Sequence, residues 1–148
     1  METSKPGAGP QQEAAGFRVM IVEDSRPVAD IFAMLLRALG HEVAVCLSAA
    51  DALQQLEAFT PEVVFSDISM PGMNGYELAE RLRADERTRL AYLVAMTGYG
   101  QVEDRENSLD AGFDEHLVKP AEMDDLQAMF ATLQQRRQAG LPLSDGRS

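Results

Sequence analysis

The sequence predicts an α/β fold: a parallel five-stranded sheet with helices on both faces. Two observations carry this expectation. Five short apolar runs alternate with five segments of helical character, and such alternation implies parallel strands joined by crossover helices. The chain's 148 residues, 45% of them hydrophobic, make one domain able to bury a core. Right-handed crossovers then leave few topologies.

The elements follow in order. Residues 17–22 read as a buried strand. The spacing predicts a helix over 26–39, with Val28, Ile31, Phe32, Leu35, Leu36 and Leu39 on one face. Pro27 falls in its first turn, where no backbone N–H is needed, and Gly40 ends it. His41, beside that stop, is expected to face solvent. Residues 42–47 form the second strand. Ser48 and Asp51 resemble a capping box and open a helix over 49–58. A third strand spans 62–66. Pro71 and Gly72 suit the central positions of a type II turn. Asn74 and Glu77 cap a helix over 75–84 that buries Leu78 and Leu82. The fourth strand is 91–96. The helix expected over 101–111 has only Val102 and Leu109 as large apolar residues, so its hold on the core is weak. The fifth strand is 115–118, and a last helix over 121–137 buries Leu126, Met129, Phe130 and Leu133.

The flanks differ in composition. Residues 1–16 are rich in Pro, Gly, Gln and Ala and lack the apolar stretch of a secretory signal, so a disordered tail is expected there. The domain is expected over 17–138, and 139–148 as a flexible tail. The formal charge of −11, from 24 acids against 13 bases, argues against binding nucleic acid or anionic membrane. It suits a basic partner or a cation. Cys46 is the single cysteine, cannot form an internal disulfide, and is expected in the core; a reducing cytoplasm fits. No apolar run approaches the roughly 18 residues of a membrane span.

Ligands of open α/β sheets bind at the carboxyl ends of the strands. Here those ends carry Glu23 and Asp24 after strand one, Asp67 after strand three, Thr97 after strand four and Lys119 after strand five. Three carboxylates gathered on one rim repel one another, and a divalent cation removes the conflict. Oxygen ligands with room for water suit Mg²⁺. A carboxylate is also a competent nucleophile toward a phosphoryl group, and phosphoryl transfer needs mainly positioning and neutralised charge. Mg²⁺ and Lys119 would supply the positive charge, and Thr97 a hydrogen bond.

The chain resembles the receiver domain of two-component response regulators. The resemblance spans about 17–137 and rests on Val22-Glu23-Asp24, on Asp67 followed by Met70-Pro71-Gly72-Met73-Asn74-Gly75, on Thr97-Gly98 and on Lys119-Pro120. It implies a flavodoxin-like (βα)5 fold with strand order 2-1-3-4-5. It also implies that Asp67 is the phosphoacceptor, that Asp24, Asp67, Glu23 and the Ser69 backbone carbonyl hold Mg²⁺, and that Lys119 pairs with the phosphoryl group. Thr97 would be the switch hydroxyl, Ser69 and Tyr99 would tune the lifetime of the phosphoryl group, and the Lys119–Pro120 bond would be cis. The donor would be a histidine kinase or a histidine phosphotransfer protein. Output would pass through protein contact by a single-domain regulator, either monomeric or dimerising on phosphorylation. One position departs from the pattern: His116 stands three residues before the lysine, where Tyr or Phe is usual in the switch. The stretch 112–120 looks like receivers of hybrid histidine kinases.

Two other classes compete. A haloacid-dehalogenase-like phosphatase also uses an aspartyl nucleophile, but it resembles an Asp-x-Asp pattern and Ser69 stands at the second position. A flavin-binding domain of the same topology would want a phosphate loop after strand one, where Glu23-Asp24 repels phosphate. A phosphate-independent interaction module is the remaining alternative.

Overall fold

The computed structural model describes residues 16–98 and 110–145. Five parallel strands form one sheet in the order β2-β1-β3-β4-β5. They are β1 (Arg18–Val22), β2 (Glu42–Cys46), β3 (Val63–Asp67), β4 (Tyr92–Thr97) and β5 (Glu115–Val118). Four helices lie among the described residues: α1 (Arg26–Ala38), α2 (Ala49–Gln55), α3 (Gly75–Ala84) and α4 (Met123–Gln138). This is the expected fold. The helix expected over 101–111 and Tyr99 lie outside the described residues, apart from the last two helical positions.

Alternate residues of each inner strand point to opposite faces, so the sheet has two cores. Met20, Val22, Val64, Leu93 and Ala95 pack with Leu78 and Leu82 of α3 and Ala52 of α2. Val19, Ile21, Val63, Phe65, Val94 and Met96 pack on the other side with α1 and α4. The last helix buries Leu126, Met129, Phe130 and Leu133 as expected. Cys46 is fully buried, and burial followed by the nearby Asp51 charge pushes its thiol up to about 12. It is a packing residue held in the unreactive thiol form.

The helix boundaries follow their caps. Ser48 accepts from Asp51 N, but α2 ends at Gln55, three residues before its expected end. Asn74 and Glu77 make a complete reciprocal capping box. Pro27 sits in the first turn of α1, and Gly40 takes the positive φ of 101° that ends it. Gly72 has a φ of 75°, as a type II turn requires at its third position. The last helix starts at Met123 rather than 121, after Glu122 at its N-cap.

Three expectations are corrected. First, α1 buries Ala29, Ala33 and Leu36, while Val28 and Ile31 are 45% and 69% exposed. The two alanines let the helix backbone lie close on the sheet, and the broad apolar face is therefore rotated. Phe32, Leu35 and Leu39 are half-buried at its edge, with Phe32 edge-on to Phe65 at 5.0 Å.

Second, His41 is buried, not solvent-facing. Its ring stacks on Phe130 at 4.0 Å, and its Nδ1 accepts a hydrogen bond from Phe17 N at 3.1 Å. The acceptor role fixes the neutral Nε2–H tautomer. Burial, reinforced by the Arg137 cation, holds its pKa below the ordinary 6.5. The unfolded chain therefore binds a proton that the folded chain refuses, over the window between the folded pKa and about 6.5. The melting temperature should be unaffected by this group above that window and should fall as pH drops into it. His41→Asn keeps an acceptor for Phe17 N and removes the titration. A thermal-melt series from about pH 8 to about pH 5 should then show a shallower acid decline for the variant than for the wild type; equal slopes would exclude His41.

Third, the packed chain continues beyond 138. Ser144 is 2% exposed and donates to Asp114 Oδ1 at 2.6 Å. Leu143 packs on the core below, and Arg136 donates to Pro142 O at 2.7 Å. The flexible tail expected from 139 is a strap through Asp145, held by the Ser144 hydroxyl, the Leu143 side chain and Arg136.

Candidate functional site

Parallel strands place their carboxyl ends on one rim, and four of them carry the residues singled out above. The pairing of Val22 with Ser66 and of Asp67 with Met96 sets those strand ends level. Asp67 is the last residue of β3, Thr97 the last of β4, and Lys119 follows β5 directly. The Lys119–Pro120 peptide bond is cis.

Asp67 is 8% exposed. Lys119 Nζ stands 3.5 Å from Asp67 Oδ2 and donates to Glu23 Oε1 at 3.0 Å. Ser69 N donates to Asp67 Oδ1 at 3.3 Å. Glu23 is itself held, because its Oε2 accepts from Ser25 N at 3.0 Å. Burial raises the Asp67 pKa; the Lys119 charge opposes this, the Glu23 charge adds to it, and the Ser69 N–H opposes it. Burial acts to lower the Lys119 pKa, but hydrogen bonding to Glu23 and the charges of Asp67 and Glu23 outweigh it and hold the ammonium above its usual range. Lys119 is thus a fixed positive charge between two carboxylates.

Carboxylate oxygens of Glu23, Asp24 and Asp67 lie within 4.8 Å of one another. Glu23 and Asp67 are buried and Asp24 is exposed. This acidic cluster could hold a metal ion. Its donors are all hard oxygens, and three carboxylates against the single ammonium of Lys119 leave two negative charges. That balance fits a divalent cation of the magnesium type.

Thr97 is 1% exposed, and its Oγ1 lies 2.7 Å from His116 Nε2. Lys119 N donates to Thr97 O at 2.7 Å, tying the Thr97 and Lys119 backbones together. The geometry therefore gathers Glu23, Asp24, Asp67 and Lys119 directly, joins Thr97 to His116, and leaves Ser69 exposed at the mouth with its N–H on Asp67. Gly75, a motif residue at the first position of α3, has a further role that the sequence does not show. A Cβ on it would stand 2.5 Å from Asp67 O and 2.8 Å from Ile68 Cα, so the start of α3 rests against the backbone of the central aspartate. Gly75 N also donates to Ile68 O at 3.0 Å.

An apolar groove of about 470 Å³ opens beside this cluster. Val28, Ile31, Leu35, Pro120 and Ala121 line it, and it ends on Asp67 and Lys119. Among the described residues no helix is long and apolar enough to cross a membrane.

The chain is similar to known proteins in sequence and in fold. Residues 19–131 match the family model of the response regulator receiver domain. The chain is 33% identical to an uncharacterized 14.6 kDa protein of Leptolyngbya boryana over 75% of this chain and 85% of that one. It is 33% identical to the transcriptional regulatory protein TcrA of Mycobacterium tuberculosis over 90% of this chain, which spans 53% of that regulator's length. It is 35% identical to the virulence sensor protein BvgS of Bordetella bronchiseptica over 81% of this chain but 10% of that protein. Among solved structures, a CheY-like receiver domain protein of Methanospirillum hungatei superposes with a TM-score of 0.74 at 27% identity, covering 84% of this chain and 98% of that one. The receiver domain of the sensor histidine kinase PA1611 of Pseudomonas aeruginosa, solved with a magnesium ion in its active-site cleft, gives 0.72 at 28% identity, with 81% and 98% covered. Fold and family match agree, and the chain belongs to the response regulator receiver domain family, the phosphoryl-accepting signalling modules of two-component systems.

Proposed function

We propose that Asp67 is the residue that accepts the phosphoryl group, donated by the phosphohistidine of a histidine kinase or a histidine phosphotransfer protein, and that the chain signals by protein contact. The observation that carries this reading is the buried Asp67 carboxylate gathered with the Lys119 ammonium and the Glu23–Asp24 acids on one rim. An Asp67 oxygen forms the new bond to phosphorus as the P–N bond breaks, and the departing imidazole nitrogen keeps the electron pair. Lys119 neutralises phosphoryl charge without moving far, because Glu23 already orients it. Thr97 donates its hydroxyl proton to a phosphoryl oxygen, and His116 follows Thr97 as the second part of the switch. Ser69, which is exposed beside Asp67, and Tyr99 tune hydrolysis by their bulk and polarity.

Asp24, Asp67 and Glu23, with the Ser69 backbone carbonyl, would hold Mg²⁺. When bound, it supplies the positive charge that lets a carboxylate approach an anionic phosphoryl group. The apolar groove between α1 and Pro120 suits the partner. Val28, Ile31 and Met34 expose a hydrophobic strip on a protein of charge −11, and the groove leads from that strip to Asp67. A donor that docks an apolar helical face there presents its phosphohistidine to the carboxylate. The reaction modifies the chain itself and turns over no separate substrate.

The test is intact mass after incubation with a small-molecule phosphodonor and Mg²⁺, then with a phosphorylated kinase. One phosphoryl group on the wild type, requiring Mg²⁺ and absent from Asp67→Asn, is the expected result. Equal labelling of Asp67→Asn would move the acceptor elsewhere. A folded wild type that stays unlabelled by both donors would leave a phosphate-independent module.

A further inference from the structure

Ser66 is a buried hydroxyl with no direct part in the proposed phosphoryl transfer. It stands on β3 immediately before Asp67 and is 0% exposed. Its register partners are Val22 on β1 and Ala95 on β4, both core residues on the α2–α3 side of the sheet. A hydroxyl among apolar neighbours needs an acceptor, because burying it without one is costly. The acceptor here is the backbone carbonyl of Asp67, at 3.0 Å. A carbonyl oxygen can only accept, so the direction of this bond is fixed.

We propose that Ser66 is a positioning residue for phosphoryl uptake: its hydroxyl pins the Asp67 carbonyl and so holds the carboxylate in place on the rim. This rests on Asp67 being the acceptor. The pairing of β1 with β3 ends at Val22 and Ser66, so Asp67 stands one residue past the last rung on that side. The Ser66 hydroxyl ties down the backbone where that ladder stops. Gly75 meets the same oxygen from α3, where a Cβ would come within 2.5 Å of it. One carbonyl is thus held both by a hydrogen bond and by close packing.

The contacts of the carboxylate itself are longer. Ser69 N reaches Oδ1 at 3.3 Å, and Lys119 Nζ stands 3.5 Å from Oδ2 while donating to Glu23 at 3.0 Å. The backbone therefore contributes more than these contacts to where Asp67 points. Rotation of the Asp67 peptide plane turns the Cα–Cβ bond and carries the carboxylate away from Lys119 and the Glu23–Asp24 acids. Positioned reactions are sensitive to such shifts. An ordinary hydrogen bond that acts wholly on the geometry of the transition state corresponds to about threefold to tenfold in rate. An apolar residue in place of Ser66 would fill the core but leave the carbonyl untied.

The experiment compares the full chain with Ser66→Ala, Val64→Ala and Asp67→Asn. Val64 is buried two residues earlier on the same strand and face, and its truncation removes core volume without removing the Ser66–Asp67 hydrogen bond. Uptake from acetyl phosphate with Mg²⁺, or from a phosphorylated kinase if that donor fails, is followed by intact mass. Melting temperature is read alongside, and the ¹³C carbonyl resonance of Asp67 reports the hydrogen bond. Ser66→Ala should label about threefold to tenfold more slowly and move that resonance upfield. Val64→Ala should melt at least as low, yet label at the wild-type rate and leave the resonance in place. A wild-type rate in Ser66→Ala, or an equal loss of rate in Val64→Ala, would overturn the positioning role while leaving Asp67 as acceptor. Equal labelling of Asp67→Asn, or a wild type that neither donor labels, would instead remove the acceptor reading and this role with it.

Discussion

Arg83→Ala is expected to destabilise the fold by about 3–5 kcal/mol, the range for stripping one partner from a buried ion pair. The Arg83 side chain is 1% exposed and lies on the side of α3 that packs inward. It donates to Gly112 O at 2.9 Å, Arg89 O at 2.9 Å and Ala91 O at 2.7 Å, and to Asp114 Oδ2 at 2.6 Å. Asp114 Oδ2 also accepts from Leu93 N at 2.8 Å, and its Oδ1 from Ser144. One guanidinium thus holds α3, the turn before β4, the turn before β5 and, through Asp114, the C-terminal strap. Alanine leaves three carbonyls and a carboxylate without this donor in a place that water reaches poorly. Lysine does not repair it, because one ammonium cannot reproduce the planar fork. Urea unfolding of wild type, Arg83→Ala and Arg83→Met/Asp114→Leu measures the effect. The double variant should recover part of the loss, since it no longer buries a lone carboxylate. A single-variant cost below about 1 kcal/mol, typical of an exposed pair, would mean that the network contributes little.

Gly75→Ala should damage both stability and the site. The added methyl would meet the Asp67 carbonyl oxygen at 2.5 Å and Ile68 Cα at 2.8 Å, and both are backbone atoms that cannot swing aside. Either α3 retreats or the end of β3 does. Overpacking of this kind costs about 1–3 kcal/mol. Because the carbonyl that must move belongs to Asp67, the carboxylate moves with it, and misplacement by about 1 Å can slow a positioned reaction about 100-fold. Melting temperature and the time course of phosphoryl uptake read the two effects separately. A variant that melts lower yet accepts the group at the wild-type rate would show that α3, not Asp67, had given way.

Much of this was legible in the chain, for identifiable reasons. Strand runs buried on both faces and helices with clear caps announce the topology, and in a parallel sheet topology alone brings Glu23, Asp24, Asp67, Thr97 and Lys119 to one rim. The misplaced elements share a cause. Large apolar residues mark one face of α1 in the sequence, whereas the contact with the sheet is made by Ala29 and Ala33, whose value lies in how little space they take. His41 looked like a polar residue after a helix stop; its burial depends on Phe17 and Phe130, far away in sequence. Arg83 stands in the polar-looking pattern of α3, and Asp114 in an ordinary turn, and their pairing spans 31 residues. Ser144 follows a Gly-Leu-Pro-Leu stretch that resembles a loose end, and only the Asp114 oxygen it caps shows otherwise. Long-range polar pairs leave no periodic trace.

The C-terminal strap also decides where the polypeptide enters and leaves. Ser144 meets Asp114 just before β5 begins, and Phe17 stands just before β1, so both ends of the packed chain emerge at the amino-terminal edge of the sheet. The acidic cluster of Glu23, Asp24 and Asp67 lies at the opposite edge. Sequence joined at either end would therefore leave the rim open, and the unit is suited to modular insertion, as a self-contained cassette carried within a longer polypeptide.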